Sequence, residues 1–316
     1  MYNTSFGKIG VICGGLSSER EVSLKSGHAI AHALLNEGFD VEEIDLKTEE
    51  ESEVVAVLRK AAIAIAFVAM HGRFGEDGRL QAILEEVELP YVGSDSLASA
   101  FAMNKIISKT IFGEYGIPTP RFWTMTPSDA TEAAIRALPL PFVVKPCSQG
   151  SSIGISLVKS FSQAGQAFNA AFYYNNNIII EEYIDGRELT VGILDNQALE
   201  PIEIVSKNQF FDFEAKYSAG KTEYVLPASL APDIRKRVQS LAFRAHRALG
   251  CRHFSRVDIL LDKENNPYVL EVNTIPGFTN TSLLPKAAQY AGISFSGLCC
   301  KLLELAAGSS ISSVTP

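Results

Sequence analysis

The segment SRVDILLDKENNPYVLEVN, residues 255–273, is the most informative part of the chain because it has the pattern of two strands joined by a polar turn. Successive side chains of a strand point to opposite faces, so Arg256 and Asp258 share a face of the first strand. Glu271 and Asn273 share a face of the second strand in the same way. A four-residue turn would place Asp258 opposite Glu271 and Arg256 opposite Asn273. We therefore expect four polar groups to converge on one face of an otherwise apolar hairpin.

The charges on this face predict a metal site. Directly opposed carboxylates destabilise a sheet, so the arrangement needs a counter-cation. Asp258, Glu271 and Asn273 offer only oxygen ligands, which suit Mg²⁺ bound together with substrate phosphates. A polar face exposed to solvent is the alternative interpretation, and the other motifs of the chain argue against it.

The composition excludes several classes of protein. The chain has 316 residues, of which 47% are hydrophobic and 20% charged, as in ordinary globular proteins, and this argues against disorder. Its net charge of −8 provides no overall attraction to nucleic acid or anionic lipid. The longest apolar run, 61–70, is too short to span a bilayer, and the N-terminus lacks signal-peptide features. Five scattered cysteines predict buried thiols in a reducing cytoplasm.

The first 95 residues alternate strand and helix patterns. Their βαβαβ order predicts a parallel, doubly wound sheet whose ligands collect where the strands end. Ser17 or Ser18 is expected to cap the first helix, and Ser18 with Glu21 fits a capping box. The predicted strands are 8–13, 39–46 and 62–70, and the predicted helices are about 17–36 and 51–60.

Beyond residue 95, one helix is predicted from Leu97 to Tyr115, and Pro118 and Pro120 interrupt it. The hairpin described above has its turn at 263–266. The other predicted elements are strands at 142–145, 178–183, 189–194 and 202–205 and a helix at about 233–249.

Several lysines are candidates for phosphate binding. Lys145 ends a strand and precedes the Gly/Ser-rich segment 146–154, whose backbone N–H groups could approach phosphate oxygens. This segment is not a Walker motif, so a plain hairpin loop is an equal alternative. Lys105 alone would be a solvated helix residue, and Lys216 alone would be a partner of Glu214.

Taken together and in this order, these segments resemble the ATP-grasp enzymes, and specifically the D-alanine–D-alanine ligase family. The resemblance runs from residue 10 to about 298. Its motifs are GGLSSEREVSL, HGRFGEDGRLQ, LPYVGS, MNKIISK, KPCSQGSSIGIS, EEYIDGRELTV, FDFEAKYSAGKTEY, RVDILL and EVNTIPGFTNTSLLPKAA.

The resemblance implies a three-domain α/β ATP-grasp architecture. The expected domains are a Rossmann-like N-terminal domain at 1–95, a central lid domain at 96–183 and a C-terminal domain at 184–316. ATP would lie between the last two domains. The implied reaction forms D-alanyl-D-alanine, a peptidoglycan precursor, through an acyl phosphate, and the family suggests a homodimer.

The resemblance also implies roles for individual residues. Two Mg²⁺ (or Mn²⁺) ions would be held by Asp258, Glu271 and Asn273. ATP would be contacted by Lys105, Lys145, Gly150, Ser152, Glu181, Glu182, Tyr183, Ile184, Glu188 and Lys216. The two D-alanines and the charge of the tetrahedral intermediate would be handled by Glu19, His71, Ser151, Tyr217, Arg256, Gly277, Ser282 and Leu283.

Three departures from the family pattern stand out. Asn104 stands where Asp is frequent, and Ile275 and Phe278 replace smaller or more flexible residues, which predicts a reshaped substrate pocket. A D-lactate-using depsipeptide ligase and a nucleotide-binding regulatory module without turnover are the alternative functions. The absence of a metal ligand or of a phosphate-binding lysine would favour the regulatory module, and this chain has all the residues proposed for these roles.

Overall fold

The computed structural model describes residues 6–150, 153–206 and 222–309. Its first sheet is parallel, with strand order β2-β1-β3-β4, as the alternating pattern predicts. Every residue of β1 is buried, as expected for a strand covered on both faces. The strands are β1 (Ile9–Gly14), β2 (Val41–Leu46), β3 (Ile65–Val68) and β4 (Tyr91–Val92), and the helices are α1 (Arg20–Asn36), α2 (Glu51–Ala61) and α3 (Arg79–Glu86).

Two predictions about helix ends are wrong. The first helix begins at Arg20 with Glu19 in the N-cap position, and no side chain caps it, so the predicted capping box does not form. The predicted helix over 97–115 is two helices, α4 (Ser96–Met103) and α5 (Lys105–Glu114). Asn104 separates them because its extended backbone ends one helix and its side chain caps the next.

The second sheet is antiparallel and has the strand order β5-β8-β6-β7. Its helices α6 and α7 pack with its strands in a hydrophobic core that lies within this part of the chain. The elements are β5 (Phe122–Met125), α6 (Glu132–Arg136), β6 (Phe142–Pro146), β7 (Ser156–Val158), α7 (Phe161–Phe172) and β8 (Ile178–Glu182).

The third sheet is also antiparallel, with order β12-β11-β9-β13-β14 and with β10 paired to β9. Helix α8 covers it, together with α4 and α5. The elements are β9 (Gly186–Leu194), β10 (Gln197–Ala198), β11 (Ile202–Ser206), β12 (Thr222–Val225), α8 (Pro232–Ala248), β13 (Phe254–Asp262) and β14 (Pro267–Asn273).

The last two helices, α9 (Leu283–Tyr290) and α10 (Phe295–Ser309), connect the two ends of the chain. α10 contacts α1, β3 and β4, so C-terminal residues share a core with the N-terminal sheet. The three sheets occupy consecutive segments of the chain. The exact domain boundaries expected from the sequence stay a prediction. The five cysteines are buried, as predicted. Among the described residues, no single helix is long and apolar enough to cross a membrane.

Candidate active site

The polar face of the β13–β14 hairpin has the register that the sequence predicts. Arg256 pairs with Asn273 and Asp258 pairs with Glu271, so the four side chains lie on one face. Asp258 is the only one of the four that is buried, with 5% of its surface exposed. We call these four residues the hairpin face.

The turn of this hairpin is one residue longer than predicted. Leu261 and Pro267 are the last paired residues, so five residues connect the strands instead of four. The register shifts beside Asp258, where Leu270 is left unpaired as a bulge. Because the bulge compensates for the longer turn, the pairing at the hairpin face agrees with the prediction.

Asp258 is surrounded by donors from three strands. Thr190 Oγ1 donates to its Oδ1 at 2.6 Å, and Asn273 Nδ2 donates to its Oδ2 at 3.1 Å. Arg256 donates to both oxygens, at 3.0 and 2.9 Å. Burial alone would lower the pKa of Arg256, but the carboxylates of Asp258 and Glu271 raise it well above its usual range. The sequence analysis did not name Thr190. Thr190 lies two residues after Glu188 on β9, and residues two apart in a strand share a face, so its position could have been inferred.

The hairpin face fits a divalent metal by the chemistry of its donors. Asp258, Glu271 and Asn273 present carboxylate and amide oxygens, the ligands that Mg²⁺ prefers. In the described ranges, no group of three or more His, Cys, Asp or Glu residues has the geometry of a metal site. A metal here would therefore use the amide of Asn273 and substrate oxygens besides the two carboxylates.

Lys105 lies between the hairpin face and the loop that follows β6. It is the first residue of α5, is 7% exposed, and its backbone N–H donates to Cys147 O at 2.9 Å. Its Nζ lies 2.8 Å from Gln149 O and 3.2 Å from Glu271 Oε2. The break at Asn104 thus starts a new helix whose first side chain reaches the hairpin face.

A second charged cluster, the lysine–glutamate trio, consists of Lys109, Lys145 and Glu181. Lys145 Nζ lies 2.6 Å from Glu181 Oε2, and Lys109 Nζ lies 3.1 Å from Glu181 Oε1. Lys109 also donates to Thr119 Oγ1, and its side chain has no exposed surface. Burial, together with the charge of Lys145, lowers the pKa of Lys109 to about 8 against the pull of Glu181. Burial would raise the pKa of Glu181, but the two ammonium groups keep it below its usual value.

Sequence reasoning placed Glu181 and Lys145 at the nucleotide but missed Lys109. A lysine four residues after Lys105 on a helix carries no signal of burial in a single sequence. Glu181 Oε1 faces the Lys109 ammonium without a well-aligned hydrogen bond, and no other described residue supplies one. This oxygen is therefore a buried acceptor whose hydrogen-bonding capacity the described residues leave unused.

The residues at the end of β8 lead from the second sheet to the third. The carboxylate of Glu182 accepts a hydrogen bond from Arg121 N–H at 2.9 Å, and Tyr183 N–H donates to Pro141 O at 3.2 Å. Ile184 follows directly, before β9 begins. Glu188 lies on β9 two residues before Thr190 and so projects from the face that carries the Asp258 contact.

Glu19 brings the N-terminal part of the chain to this site. A methyl group built on Gly72 would lie 2.7 Å from Glu19 Oε2, and one built on Gly150 would lie 3.4 Å from the same atom. The carboxylate thus lies between the loop after β3 and the loop after β6. The positive φ of Gly72, 77°, favours glycine at that position.

His71 is 3% exposed and lies where β3 leads into its loop. Its Nε2 lies 2.8 Å from Ser26 Oγ and its Nδ1 lies 3.0 Å from Ile275 O. Glu76 Oε1 is 3.5 Å from Nδ1, and burial raises the pKa of Glu76 to about 7, with the charge of Glu19 adding to the rise. Sequence reasoning named His71 but missed Ser26 and Glu76, which are ordinary polar residues in helix and loop patterns.

The loop after β14 carries Gly277 and leads into α9. Ser282 is the N-cap residue of α9, and its Oγ accepts a hydrogen bond from Thr279 N–H at 3.0 Å. A methyl group built on Gly277 would lie 3.3 Å from that Oγ, so Gly277 and the start of α9 are adjacent. Leu283 is the first residue of α9 and packs at the edge of the core.

Two of the departures from the family pattern turn away from the site. Ile275 packs in the core of the N-terminal sheet, and Phe278 makes edge-to-face or tilted contacts with the rings of Phe67, Phe254 and Phe295. Both side chains are buried in the core, and a reshaped substrate pocket stays a prediction. Four residues of the predicted site lie outside the described residues: Ser151, Ser152, Lys216 and Tyr217.

Comparisons with known proteins show which proteins this chain is similar to. Family models described as the D-ala D-ala ligase C-terminus and N-terminus match residues 111–304 and 47–94. A D-alanine–D-alanine ligase of Geotalea uraniireducens is 47% identical over 95% of this chain and 96% of its own length.

Solved structures agree with the sequence matches. The ligase of Bacillus anthracis complexed with ATP has a TM-score of 0.86 at 33% identity and covers 97% of this chain and 99% of its own. The VanG D-Ala:D-Ser ligase of Enterococcus faecalis has a TM-score of 0.83 at 31% identity, with 95% and 99% coverage.

Proposed function

This chain belongs to the D-alanine–D-alanine ligase family, and from that premise we propose that the site described above uses ATP to join two D-alanine molecules. The γ-phosphoryl group of ATP moves to a carboxylate oxygen of the first D-alanine, which gives ADP and an acyl phosphate. The neutral amine of the second D-alanine attacks the acyl carbon. A C–N bond forms, the C–O bond to phosphate breaks, and a proton is lost. The dipeptide is a peptidoglycan precursor.

The observation that carries the proposal is the position of Lys105. Its ammonium lies within 3.2 Å of Glu271 on the hairpin face and 2.8 Å of Gln149 O in the Gly-rich loop. A cation between an oxygen-donor metal site and a glycine-rich loop suits a triphosphate that contacts both. Lys145 adds a second ammonium where the same loop begins. Lys216 is proposed as the third, from the family motif.

Two Mg²⁺ (or Mn²⁺) ions are proposed for the hairpin face, held by Asp258, Glu271 and Asn273. Bound there, the ions would neutralise charge on the phosphates, which is worth several kcal/mol in phosphoryl transfer. When no metal ion is bound, Lys105 offsets the carboxylate of Glu271 and Arg256 offsets that of Asp258.

The adenine end of ATP is proposed to lie against the lysine–glutamate trio. Glu181 Oε1 is buried and able to accept a hydrogen bond, which suits the exocyclic amine of adenine. Glu182, Tyr183 and Ile184 would line the hinge beside the base. Glu188 would accept hydrogen bonds from the ribose hydroxyls, and Gly150 and Ser152 would close over the phosphates.

The first D-alanine is proposed to bind at Glu19. This carboxylate lies between Gly72 and Gly150, where it can pair with the substrate ammonium. Ser151 and Tyr217 would complete the enclosure, and His71 lies behind this position. Arg256 and the Gly277 N–H would stabilise the oxyanion of the tetrahedral intermediate.

The second D-alanine is proposed to place its carboxylate at the start of α9, at Ser282 and Leu283. The first backbone N–H groups of a helix lack partners within the helix and favour an anion. Gly277 adjoins Ser282, so the carboxylate site and the oxyanion site would be neighbours. A homodimer in the cytoplasm is the setting we propose, and sedimentation of the purified protein tests the dimer.

The test is incubation of the purified protein with ATP, Mg²⁺ and D-alanine. We expect one D-alanyl-D-alanine, measured by mass spectrometry, for each phosphate released, and no phosphate without D-alanine or with L-alanine. Equal D-alanine and D-lactate in competition test the depsipeptide alternative, which requires ester as the main product at pH 7.5. Nucleotide binding without phosphate release in any mixture would support the regulatory module and overturn the proposal.

A further inference from the structure

We propose that Ser26 is a positioning residue of this ligase, because its hydroxyl, through His71 and directly, holds the loop 275–278 that presents the Gly277 N–H to the reaction. The inference rests on the proposed function, which assigns Gly277 to the oxyanion. Ser26 lies on α1, is fully buried and is not among the residues proposed to contact a substrate.

The loop is held at both ends by side chains of the N-terminal part of the chain. Ser26 Oγ accepts a hydrogen bond from Phe278 N–H at 3.2 Å and lies 2.8 Å from His71 Nε2. His71 Nδ1 lies 3.0 Å from Ile275 O. We call this arrangement the clasp: Ser26, His71 and the backbone of Ile275 and Phe278. Gly277 lies directly between the two clasped residues.

One proton arrangement of a neutral imidazole satisfies every contact of the clasp, and the Nδ1–H of that arrangement also faces Glu76 Oε1 at 3.5 Å. A carbonyl oxygen only accepts, so His71 Nδ1 carries the proton and donates it to Ile275 O. His71 Nε2 is then an acceptor, and the hydroxyl of Ser26 donates to it while accepting from Phe278 N–H. Each polar atom of this buried network therefore has a partner, as such networks require. Both ring nitrogens of His71 are engaged by protein groups in this arrangement, which makes its role in the clasp one of orientation.

The clasp joins elements that are distant in the chain. Its two contacts to the loop after β14 span 252 and 204 residues. The loop follows Asn273 of the hairpin face and precedes Ser282, so its backbone direction sets how three proposed groups meet. The side chains of Ile275 and Phe278 anchor the loop in the core, and the clasp adds hydrogen bonds to its backbone.

The same helix offers a matched control. Ser23 is also fully buried, accepts a hydrogen bond from Gly14 N–H at 2.9 Å and donates to Ala69 O at 2.8 Å. Ser23 and Ser26 thus each have two buried hydrogen-bond contacts, but those of Ser23 stay within the N-terminal sheet. Replacing either with alanine removes one hydroxyl from the same helix, and only Ser26→Ala releases the clasp.

The test compares Ser26→Ala with Ser23→Ala in the full-length protein. We expect Ser26→Ala to lower kcat about 10- to 100-fold while the KM for ATP changes less than about threefold, because an oxyanion donor acts only on the transition state. Ser23→Ala should keep kcat within about threefold of the wild type. Hydrogen exchange gives a second readout that does not depend on activity: the amide of Phe278 should exchange faster in Ser26→Ala and be unchanged in Ser23→Ala.

His71→Asn releases the clasp from the other side, and it keeps the test usable if Ser26→Ala does not fold. Asparagine retains a donor for Ile275 O but loses the acceptor for Ser26. Combined with Ser26→Ala, it should lower kcat no further than the stronger single change, because both variants break the same Ser26–His71 hydrogen bond. Combined with Ser23→Ala, the two effects on kcat should multiply.

The outcomes separate this inference from the proposed function. No dipeptide from the wild type overturns the proposed function. Wild-type ligation with equal kcat in Ser26→Ala and Ser23→Ala overturns the inference alone. Multiplying effects of Ser26→Ala and His71→Asn, or unchanged exchange at Phe278 in Ser26→Ala, would also overturn it.

Discussion

The hairpin face, with its neighbour Lys105, and the lysine–glutamate trio balance charge in different ways. On the hairpin face, Arg256 and Lys105 offset Asp258 and Glu271, so two cations meet two anions. In the trio, Lys109 and Lys145 share the single carboxylate of Glu181, which leaves one positive charge in excess.

This difference indicates different tasks. The hairpin face is partly open, with 24% of the Glu271 side chain exposed, and its cations can be exchanged for a metal. The trio is enclosed: burial, together with the charge of Lys145, lowers the pKa of Lys109, and the two ammonium groups hold the pKa of Glu181 below its usual value. We infer that the hairpin face is built to exchange ions during the reaction and that the trio is built to remain fixed.

The largest expected effect is on the hairpin face. Glu271→Gln should lower turnover at saturating Mg²⁺ at least 100-fold with an unchanged thermal midpoint, because one carboxylate fewer weakens both proposed metal sites. Glu264→Gln, on the exposed turn of the same hairpin, is the matched control and should retain full activity. A Glu271→Gln enzyme with a third or more of wild-type activity would contradict the metal assignment.

The trio should respond in stability. Glu181→Gln leaves two buried ammonium groups without a carboxylate and should lower the free energy of unfolding by about 3–5 kcal/mol in urea. Lys109→Met should cost less, about 1–2 kcal/mol, because Glu181 keeps Lys145. Glu182→Gln, whose side chain still accepts from Arg121 N–H, is the control on the same strand and should be nearly neutral. An equal loss in Glu181→Gln and Glu182→Gln would show that the trio is not a fixed structural unit.

The pH dependence of stability sharpens the comparison further. The pKa of Lys109 falls from 10.5 to about 8 on folding, so above pH 8 the unfolded chain binds more protons than the folded one. The free energy of unfolding contributed by Lys109 should therefore rise by about 2 kcal/mol between pH 8 and pH 10. Lys109→Met should lack this rise. Parallel urea-unfolding curves for both proteins across these pH values would argue against the lowered pKa.

The smallest effect concerns the break that directs Lys105 to the hairpin face. Asn104 accepts hydrogen bonds from Ile106 N–H and Ile107 N–H, so Asn104→Ala should lower the free energy of unfolding by about 1 kcal/mol. Asn104→Asp should match or slightly exceed the wild type, because a carboxylate also caps and favours the helix N-terminus. If Asn104→Ala raised the KM for ATP no more than Asn104→Asp, the cap would serve stability only.

The hairpin face is the part of the site that the sequence predicted best. The two-residue period of a strand places Arg256 with Asp258, and Glu271 with Asn273, without reference to any other element. The prediction of the turn length was wrong by one residue, and a bulge at Leu270 restored the register. Two local predictions were wrong: the capping box at Ser18 does not form, and the single helix over 97–115 is broken at Asn104, whose side chain caps a second helix.

By itself, the sequence determined the parallel N-terminal order, the family and the hairpin face, since each follows from local periodicity or from ordered motifs. Only the tertiary structure decided which ordinary residues became buried partners: Lys109 beside Glu181, Ser26 beside Phe278, Glu76 beside His71 and Thr190 beside Asp258. The exclusion of water strengthens these interactions and shifts the pKa values of Lys109 and Glu76. That exclusion arises when elements far apart in the chain pack together, and no local pattern of residues records it.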